Sequence, residues 1–225
     1  MQTTYLSGGK PVGIDVFVPA QTGEYPIVLA LHGSSGIYSG SGQFPQMLAD
    51  RGFAVFLPHF FETTGTTWAS PLTIRDHFPT WMIALSDALD FAQDHSHTDR
   101  RRIGIVGFSL GAYLALSLGS QQSRVKAVVD FFGGMPDHFA EQVRQLPPVL
   151  ILHGDHDTVV PVSEAHKIEA LYRARQAPYE MKIYPNANHG FNGFNMLDAG
   201  QRTYFFLKKY LTEDTTRWPS SLARP

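Results

Sequence analysis

Residues 102–113 read RIGIVGFSLGAY, and within them an apolar, strand-like run passes into a helical pattern through Gly107-Phe108-Ser109-Leu110-Gly111. A serine presented on a sharp strand-to-helix turn needs small residues two positions away on either side, because the turn packs backbone against backbone. Glycines at positions 107 and 111 meet that requirement. The stretch therefore predicts a strand, a tight turn that presents Ser109, and a helix.

Apolar runs of strand length alternate with segments of helical spacing along the rest of the chain. The strand-like runs cover residues 12–19, 26–33, 53–58, 102–108, 125–132, 147–154 and 179–185. The helical segments cover residues 43–52, 78–93, 110–120, 162–177 and 197–211. This alternation predicts an α/β fold of three layers, with a mostly parallel sheet and helices on both faces. The first run alternates apolar and polar residues, so we expect it to be an antiparallel edge strand.

The chain is of a length and composition that suit a single domain over residues 1–225, since 43% of its residues are hydrophobic. Residues 59–80, HFFETTGTTWASPLTIRDHFPT, interrupt the alternation with many threonines and two prolines. We expect this segment to be a lid-like excursion over one end of the sheet. Residues 212–225 show no pattern of pairing or packing, and we expect a loose tail there.

Charge and composition narrow the classes of partner. Lys and Arg number 18 against 20 Asp and Glu, a balance that favours neither nucleic acid nor a membrane surface and leaves a small molecule as the expected ligand. The chain has no cysteine, which excludes a thiolate metal site and a cysteine nucleophile. No run approaches the ~18 apolar residues of a membrane helix, and no signal peptide is evident at the start. We expect a soluble, cytoplasmic protein whose oligomeric state one sequence does not define.

A serine hydroxyl becomes a good nucleophile only beside a base, which a carboxylate in turn orients. The segment PPVLILHGDHDTVVP (147–161) places Asp157 just beyond a strand, and YPNANHGF (184–191) places His189 after the next one. Loops at the carboxyl ends of parallel strands converge in space. We therefore predict a catalytic triad of Ser109, Asp157 and His189, with Asp155 as the alternative carboxylate. The alternative role for Ser109 is that of a helix cap.

Acyl chemistry also requires backbone N–H groups for the negative oxygen of the tetrahedral intermediate. The N–H of Leu110, at the start of the predicted helix, is one natural donor. LHGSSG (31–36) supplies the other, since glycines let the chain approach closely after a strand. Ser34 is the expected donor and Ser35 is the alternative.

Other side chains are candidates for a substrate pocket or a metal site. The candidate pocket residues are Ser35, Phe60, Trp68, Phe108, Phe132 and Phe191. The histidine-containing segments 95–99 and 153–157 could in principle hold a metal, but a solvated turn and the triad loop explain them, and we expect no metal. His32 and His153 end strands, and we expect buried hydrogen-bonding groups there.

With these motifs in place, the chain resembles the dienelactone hydrolase family of the α/β-hydrolase superfamily. The resemblance runs over nearly the whole chain, through PIVLALHGSSG (26–36), ADRGFAVFLPHFF (49–61), RIGIVGFSLGAYLAL (102–116), FFGG (131–134), GDHDTVVP (154–161) and YPNANHGF (184–191). It implies a hydrolase that cleaves an ester, a lactone or a related acyl bond without a cofactor.

The chain departs from the family pattern at three points. The family's nucleophile turn carries Cys where this chain has Ser109, and its Glu after the first core strand is replaced by the loop Gly33-Ser34-Ser35. The family's Arg shortly after the catalytic His has Gly193 in the matching neighbourhood. These departures favour a serine esterase over a dienelactone hydrolase proper. Because residues 59–80 are the only sizeable insertion, we expect a shallow pocket suited to short-chain esters or lactones. A thioesterase, a peptidase or an acyltransferase would carry the same triad. A non-catalytic ligand-binding member of the superfamily is the alternative from another class, although such a protein would ordinarily show a broken triad.

Overall fold

The computed structural model describes residues 1–212 and contains one eight-stranded sheet. The strands are β1 (Gln2–Ser7), β2 (Lys10–Phe17), β3 (Tyr25–Leu31), β4 (Ala54–Pro58), β5 (Thr98–Phe108), β6 (Val125–Phe131), β7 (Val149–Gly154) and β8 (Tyr179–Tyr184). Their order across the sheet is β1-β2-β4-β3-β5-β6-β7-β8. The β1–β2 and β2–β4 pairs are antiparallel and all the others are parallel. The predicted α/β class with a mostly parallel sheet is confirmed.

Helices cover both faces of this sheet. They are α1 (Gln43–Ala49), α2 (Pro71–Asp94), α3 (Leu110–Gln121), α4 (Asp137–Glu141), α5 (Ser163–Ala174) and α6 (Gly193–Leu211). Successive side chains of β3 enter opposite cores: Ile27 and Leu29 pack in the core that holds α2, α3 and α5, and Val28 packs in the core that holds α1 and α6. A strand buried on both faces needs a continuous apolar run, which explains why the central strands show little alternation.

The strand at the edge of the sheet differs from the one that the sequence predicts. The first predicted run corresponds to β2, which is antiparallel as expected but lies one place inside the edge, next to β1. A two-residue turn at Gly8 and Gly9, both at positive φ, joins β1 to β2. This Gly-Gly turn is a hairpin signal that was available in the sequence.

The predicted excursion over residues 59–80 is shorter than expected. Phe60–Thr64 form a turn of 3-10 helix, and α2 already begins at Pro71. The Ser70 hydroxyl accepts a hydrogen bond from Thr73 N–H, and Pro71 occupies the first helical position, where its missing N–H costs nothing. Residues 71–80 are therefore the first turns of a long helix, and α2 continues through Pro79.

Two further findings concern the C-terminal segment and the hydrophobicity of the helices. The predicted tail, 212–225, lies outside the described residues except for Thr212, which caps α6. Within residues 1–212, no helix is both long enough and apolar enough to cross a lipid bilayer.

Candidate active site

Ser109 lies on the turn between β5 and α3 in a backbone conformation that side chains rarely adopt, with φ of 55° and ψ of −117°. Close backbone contacts on both sides fix this turn. A Cβ at Gly107 would lie 2.2 Å from the carbonyl oxygen of Gly111, and a Cβ at Gly111 would lie 2.3 Å from the carbonyl oxygen of Leu31. Only glycine fits at either position, so the Gly-x-Ser-x-Gly pattern follows from the packing of β5 and α3 against β3.

The three predicted triad residues lie within hydrogen-bonding distance of one another. His189, in the loop after β8, places its Nε2 atom 2.9 Å from Ser109 Oγ and its Nδ1 atom 2.7 Å from Asp157 Oδ2. Because a carboxylate only accepts, Nδ1 carries the proton and Nε2 is free to accept the serine proton. The alternative carboxylate, Asp155, is exposed and accepts instead from the backbone N–H of Asn186, at 2.6 Å.

The carboxylate of Asp157 is buried, with 7% of the residue exposed, and both of its oxygens have partners. Oδ1 accepts from the N–H groups of Val159 and Val160, each at 2.8 Å. His153 Nε2 lies 3.4 Å from Oδ2 and 2.9 Å from the carbonyl oxygen of Val160. Burial lowers the pKa of His153, so its ring is a neutral donor from Nε2. This loop holds one carboxylate oxygen towards His189.

The loop that carries the second predicted oxyanion donor packs against this turn. Gly36 N–H donates to the Gly33 carbonyl at 3.1 Å, which closes a turn with Ser34 and Ser35 at its centre. A Cβ at Gly33 would lie 3.2 Å from the carbonyl oxygen of Phe108, so the loop packs directly against the nucleophile turn. Among residues 1–212, the N–H groups of Ser34, Ser35 and Leu110 have no hydrogen-bond acceptor. Ser34 and Ser35 therefore both remain candidates for the second donor.

The prediction that Phe60 lines the substrate pocket is wrong, because Phe60 is fully buried in the core behind the site. Its ring stacks on His32 with the two ring centres 4.0 Å apart. His32 is itself buried, its Nδ1 lies 2.9 Å from the Gly33 carbonyl oxygen, and burial lowers its pKa to about 4. Phe60 supports the oxyanion loop through His32 and lines neither of the two cavities beside Ser109, whereas His32 lines one of them. His32 and His153 are the buried hydrogen-bonding groups that the sequence predicts.

The other predicted pocket residues line two cavities that adjoin Ser109. The histidine-side cavity, of about 720 Å³, is lined by Ser35, Phe108, Phe132, Phe191 and His189, among others. The ring centre of Phe132 lies 4.9 Å from that of His189, in an edge-on contact. Trp68 lines a second space, the helix-side cavity of about 910 Å³, and 61% of this residue is exposed.

Several cavity residues were not predicted. Phe44 and Met196 line the histidine-side cavity, and Ile74, Tyr113 and Phe139 line the helix-side cavity. They come from five different helices and are brought together only by the packing of those helices, so no spacing in the sequence indicates them. In the described part of the chain, no group of three or more His, Asp or Glu side chains is arranged to hold a metal ion.

Comparisons with known proteins identify the family of this chain. The family model for the dienelactone hydrolase family matches residues 14–199. A provisionally named carboxymethylenebutenolidase from Synechocystis sp. is 24% identical over 195 residues, which cover 77% of this chain and 78% of that protein. Cutinase est1 from Thermobifida alba is 26% identical over 207 residues, covering 90% of this chain and 66% of the cutinase.

The fold agrees as well. A provisionally assigned dienelactone hydrolase from Klebsiella pneumoniae superposes with a TM-score of 0.83 at 20% identity, covering 93% of this chain and 98% of that one. The family model alone spans most of the chain, including the nucleophile turn, the acid loop and the histidine loop. The chain therefore belongs to the dienelactone hydrolase family and is a hydrolase.

Proposed function

We propose that this hydrolase cleaves carboxylic esters, lactones included, with Ser109 as the nucleophile and an acyl-enzyme as the intermediate. The observation that supports this most strongly is the continuous chain of hydrogen bonds from Ser109 through His189 to Asp157. Of the relatives, one is named for cleaving a ring ester, carboxymethylenebutenolide, and another is named a cutinase. Both names are consistent with ester cleavage.

The first half of the reaction forms the acyl-enzyme. His189 Nε2 accepts the proton of Ser109 while Oγ attacks the ester carbonyl carbon, and Asp157 stabilises the resulting imidazolium. The carbonyl oxygen becomes an oxyanion that accepts hydrogen bonds from Leu110 N–H and Ser34 N–H, the latter with Ser35 as its alternative. The tetrahedral intermediate then collapses, the bond to the alcohol oxygen breaks, and His189 gives that oxygen the proton.

The second half releases the acid. Water enters on the side that the alcohol has left, and His189 Nε2 removes its proton as the oxygen attacks the acyl carbon. Collapse of the second tetrahedral intermediate returns the proton to Ser109 Oγ and frees the carboxylic acid. No step needs a metal or a cofactor.

The direct test compares wild type with Ser109→Ala on p-nitrophenyl acetate and butyrate. If the triad acts as a unit, kcat should fall by roughly 10⁶-fold. Ser123→Ala is the matched control, since Ser123 is exposed on the turn after α3, at the opposite end of that helix. Equal rates in wild type and Ser109→Ala, or no ester cleavage by either, would contradict the proposal.

A further inference from the structure

Two cavities meet at the candidate nucleophile, and they differ in what surrounds them. Ser34, Ser109 and Val159 line both the histidine-side cavity and the helix-side cavity. His189 lines only the first, and Leu110 lines only the second. A substrate carbon bonded to Ser109 Oγ therefore has space on two sides. The reaction mechanism determines which group of the substrate occupies each side.

The helix-side cavity is a groove between α2 and the segment around α4. Its walls include Ile74 and Phe78 from α2, Tyr113 from α3 and Phe139 from α4. Phe78 is buried and Ile74, Tyr113 and Phe139 are half-buried, so the walls are fixed by their own packing against the core. An apolar groove of about 910 Å³ is much larger than an acetyl or butyryl group needs and lies within the usual range of small-molecule sites.

Proton delivery decides which part of an ester occupies which cavity. The departing alcohol oxygen must lie within hydrogen-bonding reach of His189 Nε2, because that nitrogen returns the proton. The oxyanion accepts from Leu110 N–H and from the N–H of Ser34 or its alternative Ser35. Besides the serine oxygen, the oxyanion and the leaving-group oxygen, the tetrahedral carbon carries the acyl chain. The space that remains for this chain is the cavity that His189 does not line.

From this arrangement we infer that the helix-side cavity is the acyl-binding subsite and the histidine-side cavity is the leaving-group subsite. This inference rests on the proposed function and narrows its substrate class to esters of apolar acids with medium-length aliphatic or aryl acyl groups. It differs from the shallow, short-chain pocket that the sequence suggests. The difference arises because residues 71–80, expected in a lid, form the part of α2 that makes one wall of the groove.

A pair of isomeric esters tests the assignment. Ethyl octanoate and octyl acetate contain the same atoms, but the long chain is the acyl part of the first and the alcohol part of the second. Ile74→Trp places a larger side chain in the helix-side cavity. It should lower kcat/KM for ethyl octanoate relative to octyl acetate by roughly tenfold or more, since pocket contacts of a few methylenes discriminate by that amount.

Two further variants control for indirect effects. Leu72→Trp makes a comparable substitution on the same helix at a position that is 64% exposed and lines neither cavity, so the ratio of the two esters should not change. Met196→Trp, in the histidine-side cavity, should shift the ratio in the opposite direction. If Ile74→Trp fails to fold, Ile83→Trp narrows the same groove from a side chain that is 60% exposed.

The outcomes separate this inference from the proposed function. A larger loss on octyl acetate than on ethyl octanoate in Ile74→Trp would reverse the assignment and overturn it. Equal losses on both esters, or cleavage of p-nitrophenyl acetate with no cleavage of ethyl octanoate, would also overturn it while leaving the esterase proposal intact. Failure to cleave any ester would overturn both.

Discussion

Asp130 and Asp157 lie at the carboxyl ends of neighbouring strands, β6 and β7, and both are buried, with 0% and 7% of the residue exposed. Their surroundings are opposite. Each oxygen of Asp157 has partners, including two backbone N–H groups and the ring of His189. Asp130 Oδ1 accepts one hydrogen bond, from Gly133 N–H at 2.8 Å, and Oδ2 has no partner among residues 1–212.

The comparison shows that burial alone does not define what a carboxyl group does. Donors around Asp157 hold Oδ2 where it can accept from His189 Nδ1 and stabilise a charged imidazole. Around Asp130 there is little to offset the cost of removing a charge from water, and burial raises its pKa to about 7. Asp157 is therefore positioned to orient His189, whereas Asp130 favours its neutral form inside the sheet.

The largest expected effect comes from removing the charge of Asp157 without removing its shape. In Asp157→Asn, the amide can still accept from Val159 and Val160, but its NH₂ group then faces His189 Nδ1. The ring must move its proton to Nε2, where it can no longer accept from Ser109. We expect kcat on p-nitrophenyl esters to fall roughly 10⁴-fold with the fold intact. A loss under about tenfold would show that Asp157 does not orient the base.

The same substitution at Asp130 should affect stability rather than catalysis. The folded-state pKa of Asp130, about 7, is above the usual aspartate value of 3.8, so the folded protein binds the proton more tightly than the unfolded chain. The proton-linked stabilisation is complete below the unfolded pKa and is lost as pH rises towards 7.

The side chain in Asp130→Asn stays neutral throughout this range, so the variant lacks this pH-dependent loss of stability. Between pH 4 and pH 7, wild type should lose on the order of 1 to 4 kcal/mol of unfolding free energy relative to the variant. Urea unfolding at several pH values measures the difference, and other titrating groups cancel because both proteins carry them. A difference that stays constant with pH would mean that Asp130 is ionised in the fold.

Removing the ring next to Asp157 leaves both carboxylate oxygens their other donors but takes a hydrogen bond from the Val160 carbonyl. His153→Leu deletes the ring N–H that lies near Asp157 and the Val160 carbonyl. We expect a loss of about 1 to 3 kcal/mol in unfolding free energy, the usual cost of leaving a buried acceptor unpaired. His153→Gln keeps an N–H donor and should recover part of that loss. If Gln and Leu destabilise equally, packing rather than hydrogen bonding explains the position.

The smallest effect is expected at Asp155, the alternative carboxylate. Asp155→Asn keeps an oxygen that can accept from Asn186 N–H, and the residue is exposed. Unfolding free energy should change by about 0.5 kcal/mol or less, as is usual at exposed positions, and esterase activity should stay close to that of wild type. A loss comparable to that of Asp157→Asn would exchange the roles of the two residues.

Local pattern was enough to predict most strands and helices and to place Ser109, Asp157 and His189 together. These positions follow from local rules: apolar periodicity, glycines around a tight turn, and polar residues at strand ends. Tertiary packing determines the rest. Phe60 looked like a pocket residue by its position in the chain, but it stacks beneath His32.

The cavities are the clearest limit of local pattern. Ile74 and Phe139 line the same groove only because α2 and α4 lie next to one another, and neither position carries a signal in its own segment. Ser70 and Pro71 form a helix start that was readable in the sequence, and it would have shortened the expected lid. Knowing where α2 begins would still not have given the volume of the groove beside it.

The central claim is that Ser109 carries the acyl group during turnover. Acid quenching of the enzyme during hydrolysis of p-nitrophenyl acetate, followed by tryptic digestion, should yield one acetyl group on the peptide that covers residues 103–124, and fragmentation should place it on Ser109. The p-nitrophenolate released in a pre-steady-state burst should match the amount of that adduct. Steady turnover with no adduct on Ser109, or with the acetyl group on another residue, would contradict the account.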